Sequence, residues 1–460
     1  MLIKLGKLKT GTWLAIVSVI AILERVLLYI FYRPVSLHDT GSYRRLAEAI
    51  LNGWKSYDGT RTPGYPIFLA LFGSNEHVYA AQLAFGFFTT LLFFYVGQRA
   101  TGKGWGGALA AMLYSLNIQQ VFFEANLVTE SITTFFIALT LVGLAWLLFS
   151  GGKPPIVQNL LVALGIGLAT GVAALTRPLF IFLPFLVGFF LLVFWHVRPV
   201  VRWRTALTAG LSALLMIAVW VNFIHKRFDR WDLTTMTGYQ LIQHTGVFFE
   251  YVPNEYAAIR DTFIKYRDAK IAATGSPADA IWNAIPELSK VSGLGFYSLS
   301  DLLGKISIQL ILNHPFLYMR GVAQSWLWFW KAPIYLAPQQ ITNLVLQHIG
   351  RSLIFAERGG MLACNLIFLA GSIALLWKRV RQILKVGLFF NISISTIWLT
   401  SFFQAFIDHS DNPRLLVPLQ TLVVLVVIWW GIQLLNQSLN SKEIATKKNG
   451  ETALNRGVLS

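Results

Sequence analysis

The chain is poor in charged residues and has a single cysteine. Only 13% of its 460 residues are Asp, Glu, Lys or Arg, whereas 55% are hydrophobic. Soluble domains carry about 25% charged residues, so this composition excludes an ordinary soluble protein. Cys364 alone excludes an intramolecular disulfide and a metal site built on cysteines. The composition therefore indicates an integral membrane protein.

Long apolar runs support this class. A run of about 18 residues crosses the roughly 30 Å hydrocarbon core of a bilayer as an α-helix. Ten such spans are predicted, at 12–32, 79–98, 105–123, 127–149, 159–176, 179–195, 205–224, 359–377, 386–407 and 414–436. The fold class expected from the sequence is an all-α polytopic membrane protein.

Acidic residues are scarce, with 21 Asp and Glu against 38 Lys and Arg, which gives a formal net charge of +17. Such a surplus can indicate a nucleic-acid partner. With the N-terminus in the cytoplasm, however, the cytoplasmic segments hold 17 of the basic residues and the short outer loops hold seven. This distribution follows the positive-inside rule. It predicts the orientation and explains most of the basicity, so we expect no nucleic-acid partner.

The spans divide the chain into four regions. Residues 1–224 are predicted as an N-terminal transmembrane module that includes a first outer loop, 33–78. Residues 225–358 are predicted as an extracytoplasmic and interfacial region, 359–436 as C-terminal transmembrane helices, and 437–460 as a disordered cytoplasmic tail. Only 225–358 is long enough for a folded unit outside the membrane.

Two patterns indicate helices in residues 225–358. "NEYAAIRDTFIKYRDAKIAA" has an amphipathic helical pattern, and "TGSPAD" follows as a break. The later segment "SWLWFWKAPIYLA" could add an eleventh span. Its Arg and Lys flanks, proline and tryptophans instead favour a helix lying in the membrane interface.

The first outer loop contains "SLHDTGSYRRLAEAIL", whose Asp-Thr-Gly letters also surround the catalytic acid of aspartic proteases. Such proteases need a second, matching carboxylate, and no second Asp-Thr-Gly or Asp-Ser-Gly occurs in the chain. The apolar residues from Tyr43 to Leu51 recur with helical spacing. Asp39 or Ser42 is then expected to cap an interfacial helix. A capping carboxylate at this surface can also serve chemistry, so both interpretations stay open.

Other polar residues lie at the outer ends of the spans, where ionisable groups are costly and mark candidate sites. They are Arg61 and Tyr65 in "TRTPGYPIFLALFG", Glu124 and Glu130 in "FFEANLVTESITTFF", Arg177 in "ALTRPLFIFLPF", and His409 and Arg414 in "IDHSDNPRLLVPLQ". Wetted loop residues or a snorkelling arginine are the simpler interpretations. Arginines and carboxylates at one surface nevertheless suit a lipid-linked phosphate, because Arg binds phosphate bidentately and a carboxylate can accept a hydroxyl proton.

Several of these motifs resemble the GT-C membrane glycosyltransferases. They are similar to the family 39-like clan of protein O-mannosyltransferases and aminoarabinose transferases. The motifs that carry the resemblance are, in order along the chain, "HDTGSYRRLA", "RTPGYPIFLAL", "VTESITTFF", "LTRPLF" and "NPRLLVPLQ". The resemblance implies a GT-C fold of about ten transmembrane helices, within a range of roughly 9 to 13. It also implies an outer-face interfacial region and a small extracytoplasmic domain.

The resemblance implies a function as well. A single sugar would move, with inversion, from a polyprenyl-phosphate donor to a glycan, lipid or protein acceptor at the periplasmic or external face of the bacterial inner membrane. Asp39 matches the first-loop catalytic acid, and Glu130 stands where a second functional acid is usual. The substrate-binding candidates are His38, Tyr43, Arg61, Tyr65, Glu124, Arg177, His409 and Arg414. Two departures concern the acceptor: a single first-loop acid preceded by His38, and Arg-Leu in the last motif.

Other functions stay open at this stage. A lipid or sugar transporter or flippase would favour inverted repeats and broken midplane helices, whereas this chain concentrates polar residues at one surface. An oligosaccharide ligase shares the fold-level features. Membrane lipids are expected partners. No cofactor is expected and no metal site is predicted, although a divalent cation remains open.

Overall fold

The computed structural model describes residues 8–150, 155–332, 337–407 and 412–457, and these residues form nineteen α-helices. Within these ranges β-structure is limited to two isolated bridges, Tyr32 with Ile341 and Val35 with Asn126. The predicted all-α architecture is confirmed.

Ten helices form the N-terminal module. They are α1 Thr10–Phe31, α2 Thr40–Leu51, α3 Gly64–Phe72, α4 Asn75–Thr101, α5 Gly104–Ser115, α6 Ile118–Ala125, α7 Glu130–Phe149, α8 Ile156–Thr176, α9 Leu183–Phe194 and α10 Pro199–Phe228. Helix α4 packs on α5 and α7, and α8 packs on α7 and α10. Their facing apolar residues belong to a large buried cluster that the C-terminal helices extend.

The remaining helices form a central region and a C-terminal group. The central region contains α11 Thr237–Thr245, α12 Ala257–Thr274, α13 Ala280–Ser292, α14 Phe296–Asn313 and α15 Pro315–Phe329. The C-terminal group contains α16 Leu344–Ala374, α17 Lys378–Leu384, α18 Leu388–Ile407 and α19 Val417–Gly457. Most of the central region has a hydrophobic core of its own, in which α11, α12, α13 and α14 bury residues such as Tyr239, Phe263, Leu288 and Leu303.

Eight helices in the described ranges are long and apolar enough to cross a membrane. They are α1, α4, α7, α8, α10, α16, α18 and residues Pro413–Leu439 of the last helix. The chain is therefore a multi-pass membrane protein.

Two of the ten predicted spans are not single long helices. Residues 105–123 are divided between α5, which ends at Ser115 with Leu116 as its C-cap, and α6, which Asn117 caps by accepting the Gln120 N–H at 3.1 Å. In 179–195, a 3₁₀ turn at Pro178–Phe180 precedes the twelve-residue α9.

Two further elements bear on the sequence predictions. Helix α15 has 15 residues, which is short for a span, but Trp326 stacks on Trp398 and Phe402 of α18, so the interfacial position of this segment stays a prediction. Helix α19 is helical to Gly457, which differs from the disorder expected for 437–460. No proline or glycine interrupts residues 438–449, so nothing in the sequence stops the helix there.

Candidate functional site

Five of the predicted site residues lie at helix ends that meet on one side of the bundle. Asp39 directly precedes α2, Glu130 is the first residue of α7, and Arg177 follows the last residue of α8. Arg61 lies just before α3, and Arg414 lies in the 3₁₀ turn Asn412–Leu416 before α19. The fold therefore brings these residues together from five separate segments.

These five residues form one connected network, called the outer cluster below. Arg61 Nη2 donates to Asp39 Oδ1 at 2.8 Å, and Arg414 Nη1 donates to Asp39 Oδ2 at 3.2 Å. Arg177 Nη1 donates to Glu130 Oε1 at 2.9 Å. Arg414 also contacts Glu130 through Nε and Nη2. Its planar guanidinium thus links the two carboxylates, as the fork geometry of arginine allows.

The outer cluster is sealed at one end and open at the other. The Glu130 side chain is 0% exposed, and those of Arg414 and Arg177 are 10% and 12% exposed. Asp39 and Arg61 are 27% and 26% exposed. A ligand reaching the cluster would therefore meet Asp39 and Arg61 first.

The charges of the cluster keep Asp39 ionised. Burial alone would raise the pKa of the Asp39 carboxyl, but the positive charges of Arg61 and Arg414 outweigh that effect and lower the pKa below its ordinary value. Among the described residues, three arginines meet at two carboxylates, and the Arg61 guanidinium is partly exposed. The arrangement suits an anionic ligand.

The expected capping role of Asp39 is wrong. Asp39 stands at the N-cap position, but among the described residues its side chain makes no capping hydrogen bond. Its backbone is already helical, with φ −72° and ψ −23°, and its carboxylate contacts the two arginines. Ser42 does not cap through a backbone N–H either, because its Oγ donates to the Asp39 carbonyl at 2.8 Å. The arginines fix the direction of the carboxylate.

The segment between α6 and α7 fixes the positions of Asp39 and Glu130 relative to each other. Leu127 N donates to the Val35 carbonyl at 2.9 Å, and Val35 N donates to the Ala125 carbonyl at 3.0 Å. Thr40 Oγ1, next to Asp39, donates to the Leu127 carbonyl at 2.9 Å. The first outer loop and the start of α7 are thus joined through backbone atoms, which fixes Asp39 relative to Glu130.

Tight packing also places Arg177. A Cβ atom built on Gly64, the first residue of α3, would lie 2.7 Å from the Thr176 backbone. Only glycine permits this approach of α3 to the end of α8, where Arg177 follows.

The two candidate tyrosines differ in position. The Arg61 guanidinium lies over the Tyr43 ring at 5.5 Å from its centroid, so Tyr43 supports the outer cluster. Tyr65 is 0% exposed and its hydroxyl donates to Gln82 Oε1 at 2.8 Å. Gln82 in turn donates to the carbonyls of Glu124 and Asn126, both at 2.9 Å. Tyr65 therefore supports the segment before α7, with its hydroxyl buried on Gln82.

Glu124 lies in a different cluster, called the inner cluster below, which comprises Glu24, Arg25, Tyr114, Ser115 and Glu124. Arg25 Nη2 donates to Glu124 Oε1 at 2.7 Å, and the Tyr114 hydroxyl donates to the same oxygen at 3.0 Å. Arg25 also contacts Glu24 at 3.1 Å, although these neighbours in α1 are expected to point apart. Glu124 is fully buried, and the described contacts of its carboxylate are all within the inner cluster.

The two histidine candidates do not add to the described site. His38 is exposed beside Asp39. His409 lies outside the described residues. Across the part of the chain that the structure describes, no group of three or more His, Cys, Asp or Glu side chains is suited to hold a metal ion.

Sequence reasoning missed the partners that hold the site. Gln82 is a buried amide within a span, and Asp58 and Thr60 shape the turn before Arg61. The polar side chain of Gln82 in an apolar run is the signal that could have indicated an internal contact.

Comparison with known proteins gives a weak likeness in fold. No protein-family model and no curated protein matches the chain. A solved structure of ArnT from Cupriavidus metallidurans in the apo state is similar, with 14% identity, a TM-score of 0.38, and 91% of this chain and 77% of that chain covered. A structure of the same protein bound to undecaprenyl phosphate has 14% identity and a TM-score of 0.33, with 95% and 80% covered. At these values the likeness supports no conclusion about function. The function proposed below rests on the contacts of the outer cluster.

Proposed function

We propose that the protein is a polyprenyl-phosphate-sugar-dependent glycosyltransferase of the GT-C type that moves a single sugar, with inversion, to an acceptor hydroxyl. One observation supports this most directly: an ionised, partly exposed carboxylate lies within a network of three arginines at one surface of a multi-pass bundle. A sugar phosphodiester needs a base for the acceptor and positive charge for the leaving phosphate, and both are present.

The reaction assigns one role to Asp39. Its carboxylate accepts the proton of the acceptor hydroxyl as the hydroxyl oxygen attacks the anomeric carbon. The bond from that carbon to the phosphate oxygen breaks, and the electron pair leaves on the phosphate. Because the polyprenyl phosphate departs as an anion, no second acid is needed to protonate it.

The arginines would stabilise the departing phosphate. Arg61 is the most accessible and contacts Asp39 directly, while Arg414 and Arg177 are fixed by the buried Glu130. Preorganised charges of this kind stabilise a transition state without reorganising during the reaction. Glu130 then acts by fixing two arginines, and the partly exposed guanidinium of Arg61 completes the anion site with them. We propose that no metal ion is required, so EDTA should leave the rate unchanged.

The proposed setting is the bacterial inner membrane, with the outer cluster on the periplasmic or external side. The positive-inside distribution supports this orientation. A polyprenyl tail would lie among the apolar helices and its phosphate would reach the cluster at their ends. Glycan, lipid and protein acceptors all present hydroxyls that suit Asp39.

Mass spectrometry of envelope glycans and lipids from a deletion strain tests the proposal. We expect one sugar to be missing and a polyprenyl-phosphate sugar to accumulate. The wild-type chain should restore the sugar, whereas Asp39→Asn should not.

The matched control is Asp229→Asn. Asp229 is 98% exposed and has a positive φ of 55°, which asparagine tolerates well, so this variant should complement fully. Full complementation by Asp39→Asn, at equal protein levels, contradicts the assigned role of Asp39. A deletion strain with unchanged glycans and lipids contradicts the proposed function.

A further inference from the structure

The turn that presents Arg61 is built around Asp58. Asp58 Oδ1 accepts the Thr60 N–H at 2.9 Å and the Thr60 hydroxyl at 2.6 Å. Its other oxygen, Oδ2, accepts from Arg45 Nη2 at 2.9 Å. A side chain that accepts the backbone N–H two residues on closes an Asx turn, which fixes the backbone just before Arg61.

Neighbouring residues hold the same turn from two further directions. The buried Tyr57 hydroxyl donates to the Arg61 carbonyl at 3.0 Å. From the central region, Thr235 N donates to the Gly59 carbonyl at 2.9 Å, and Thr235 Oγ1 donates to the Asp58 carbonyl at 3.2 Å.

Gly59 closes the turn on the opposite side. It has a positive φ of 68°, and a Cβ atom there would lie 2.8 Å from Phe228 and 2.9 Å from Thr235. Both the backbone conformation and the space require glycine.

These contacts connect the two partners at the open end of the outer cluster. Arg45 belongs to α2, which begins directly after Asp39, and Asp58 joins that helix to the turn that ends at Arg61. The Arg61–Asp39 contact of 2.8 Å therefore depends on how firmly residues 57–61 are held.

We propose that Asp58 is a positioning residue that sets Arg61 against Asp39, and that Thr235 ties this turn to the central region. The functional part of this inference rests on the proposed glycosyl transfer. The positioning by Asp58 depends on its contacts with Thr60. The ion pair between Asp58 and Arg45 contributes little to the stability of the turn, because Arg45 is 64% exposed.

The inference separates Arg61 from the other charges near Asp39. Arg61, Arg414, Arg177, Glu130 and Tyr43 all act electrostatically on Asp39 or share its surroundings. Of the three arginines, only Arg61 is positioned by the Asp58 turn among the contacts described. Loosening this turn should reduce the effect of one arginine and leave the other two in place.

The test compares Asp58→Ala with Asp58→Asn in the full chain, purified into lipid nanodiscs. Alanine removes every contact of the carboxylate, whereas the asparagine oxygen still accepts from Thr60. Asp261→Ala is the control, because Asp261 also pairs with an arginine, Arg260, but lies on α12, which packs on α13 in the central region.

Two readouts are measured. Hydrogen exchange of residues 57–62, without substrate, should rise several-fold in Asp58→Ala, remain near wild type in Asp58→Asn, and be unchanged in the control. Transfer from the lipid extract of the deletion strain should show an acid limb of kcat/KM that moves up in Asp58→Ala, by less than removal of the Arg61 charge would move it. Asparagine should restore most of it.

The outcomes distinguish this inference from the proposed function. Wild-type exchange and a wild-type acid limb in Asp58→Ala overturn the inference even when transfer is normal. If hydrogen exchange rises only at residues 57–62 in Asp58→Ala and the wild-type protein also transfers no sugar, the result supports the positioning of Arg61 and contradicts the proposed glycosyltransferase. Raised exchange throughout Asp58→Ala, with Asp58→Asn unaffected in both readouts, assigns Asp58 to general stability and also overturns the inference.

Discussion

The outer and inner clusters are both built from arginines and carboxylates, but they differ in exposure. The outer cluster, which joins three arginines and two carboxylates among the described residues, is more than 25% exposed at Asp39 and Arg61. In the inner cluster, Arg25 is the one arginine for Glu24 and Glu124, and Arg25 and Glu124 are 5% and 0% exposed.

The partners of the inner cluster come from within the bundle. Arg25 donates to the Ser115 hydroxyl at 3.0 Å and to the Ala21 carbonyl at 3.2 Å, and Tyr114 donates to Glu124. The inner cluster therefore joins α1 to α5 and α6, whereas the outer cluster presents Arg61 and Asp39 at an opening. Buried charge of the first kind maintains a fold, and an accessible arginine of the second kind suits an anionic ligand.

The largest expected effect is on stability. Arg25→Met leaves Glu124 buried without its cationic partner, and breaking such a pair costs about 3–5 kcal/mol. Arg61→Met should cost far less, because Asp39 is partly exposed and keeps Arg414. Thermal unfolding of both variants in one detergent measures the difference. Equal losses of stability would remove the distinction between the two clusters.

Arg414→Lys should chiefly affect transfer. Lysine keeps the positive charge but cannot contact Asp39 and Glu130 together with one planar fork. We expect the initial rate to fall on the order of 10²-fold, as for removal of one preorganised donor, with little change in melting temperature. Arg320→Lys, at an exposed position on α15, is the control. A rate within twofold of wild type would show that charge alone suffices at residue 414.

The pH dependence of transfer tests the electrostatic part of the comparison. The pKa of Asp39 is lowered by its arginines, so the base stays ionised down to below about pH 4, the ordinary range of Asp. Wild-type kcat/KM should therefore show no acid limb above that value. Removing one positive charge raises the pKa of Asp39, so Arg61→Gln should move the acid limb up by roughly one unit. An unchanged limb would mean that Arg61 does not act on the base.

The sequence was sufficient for the outer cluster because topology determines it. Alternating spans bring every second loop to the same surface, so Asp39, Arg61, Glu130, Arg177 and Arg414 share a face once the apolar runs are placed. The break after Thr274 was likewise readable from local residues.

The burial of individual side chains was not readable in this way. Glu124 precedes Glu130 by six residues, but the break at Asn117 turns the short α6 so that Glu124 meets Arg25 in α1. Asp39 lost its expected capping role because two arginines compete for the carboxylate. Both results depend on contacts between distant segments, which periodicity in one segment does not contain.

Replacing Tyr65 should have the smallest effect on the protein. It also tests most directly whether the sequence can predict the burial of a single side chain. The sequence places Tyr65 beside Arg61 as a substrate-binding candidate, but in the structure its hydroxyl is buried on Gln82. Tyr65→Phe should therefore cost about 0.5–1.5 kcal/mol of stability, the net contribution of one hydrogen bond, and leave the donor KM unchanged. Donor titrations and thermal unfolding of the same preparation measure both. A raised KM with unchanged stability would place the Tyr65 hydroxyl at the donor and make the Gln82 contact part of the outer cluster. Only a hydroxyl that reaches the donor can change donor binding without changing the stability of the fold.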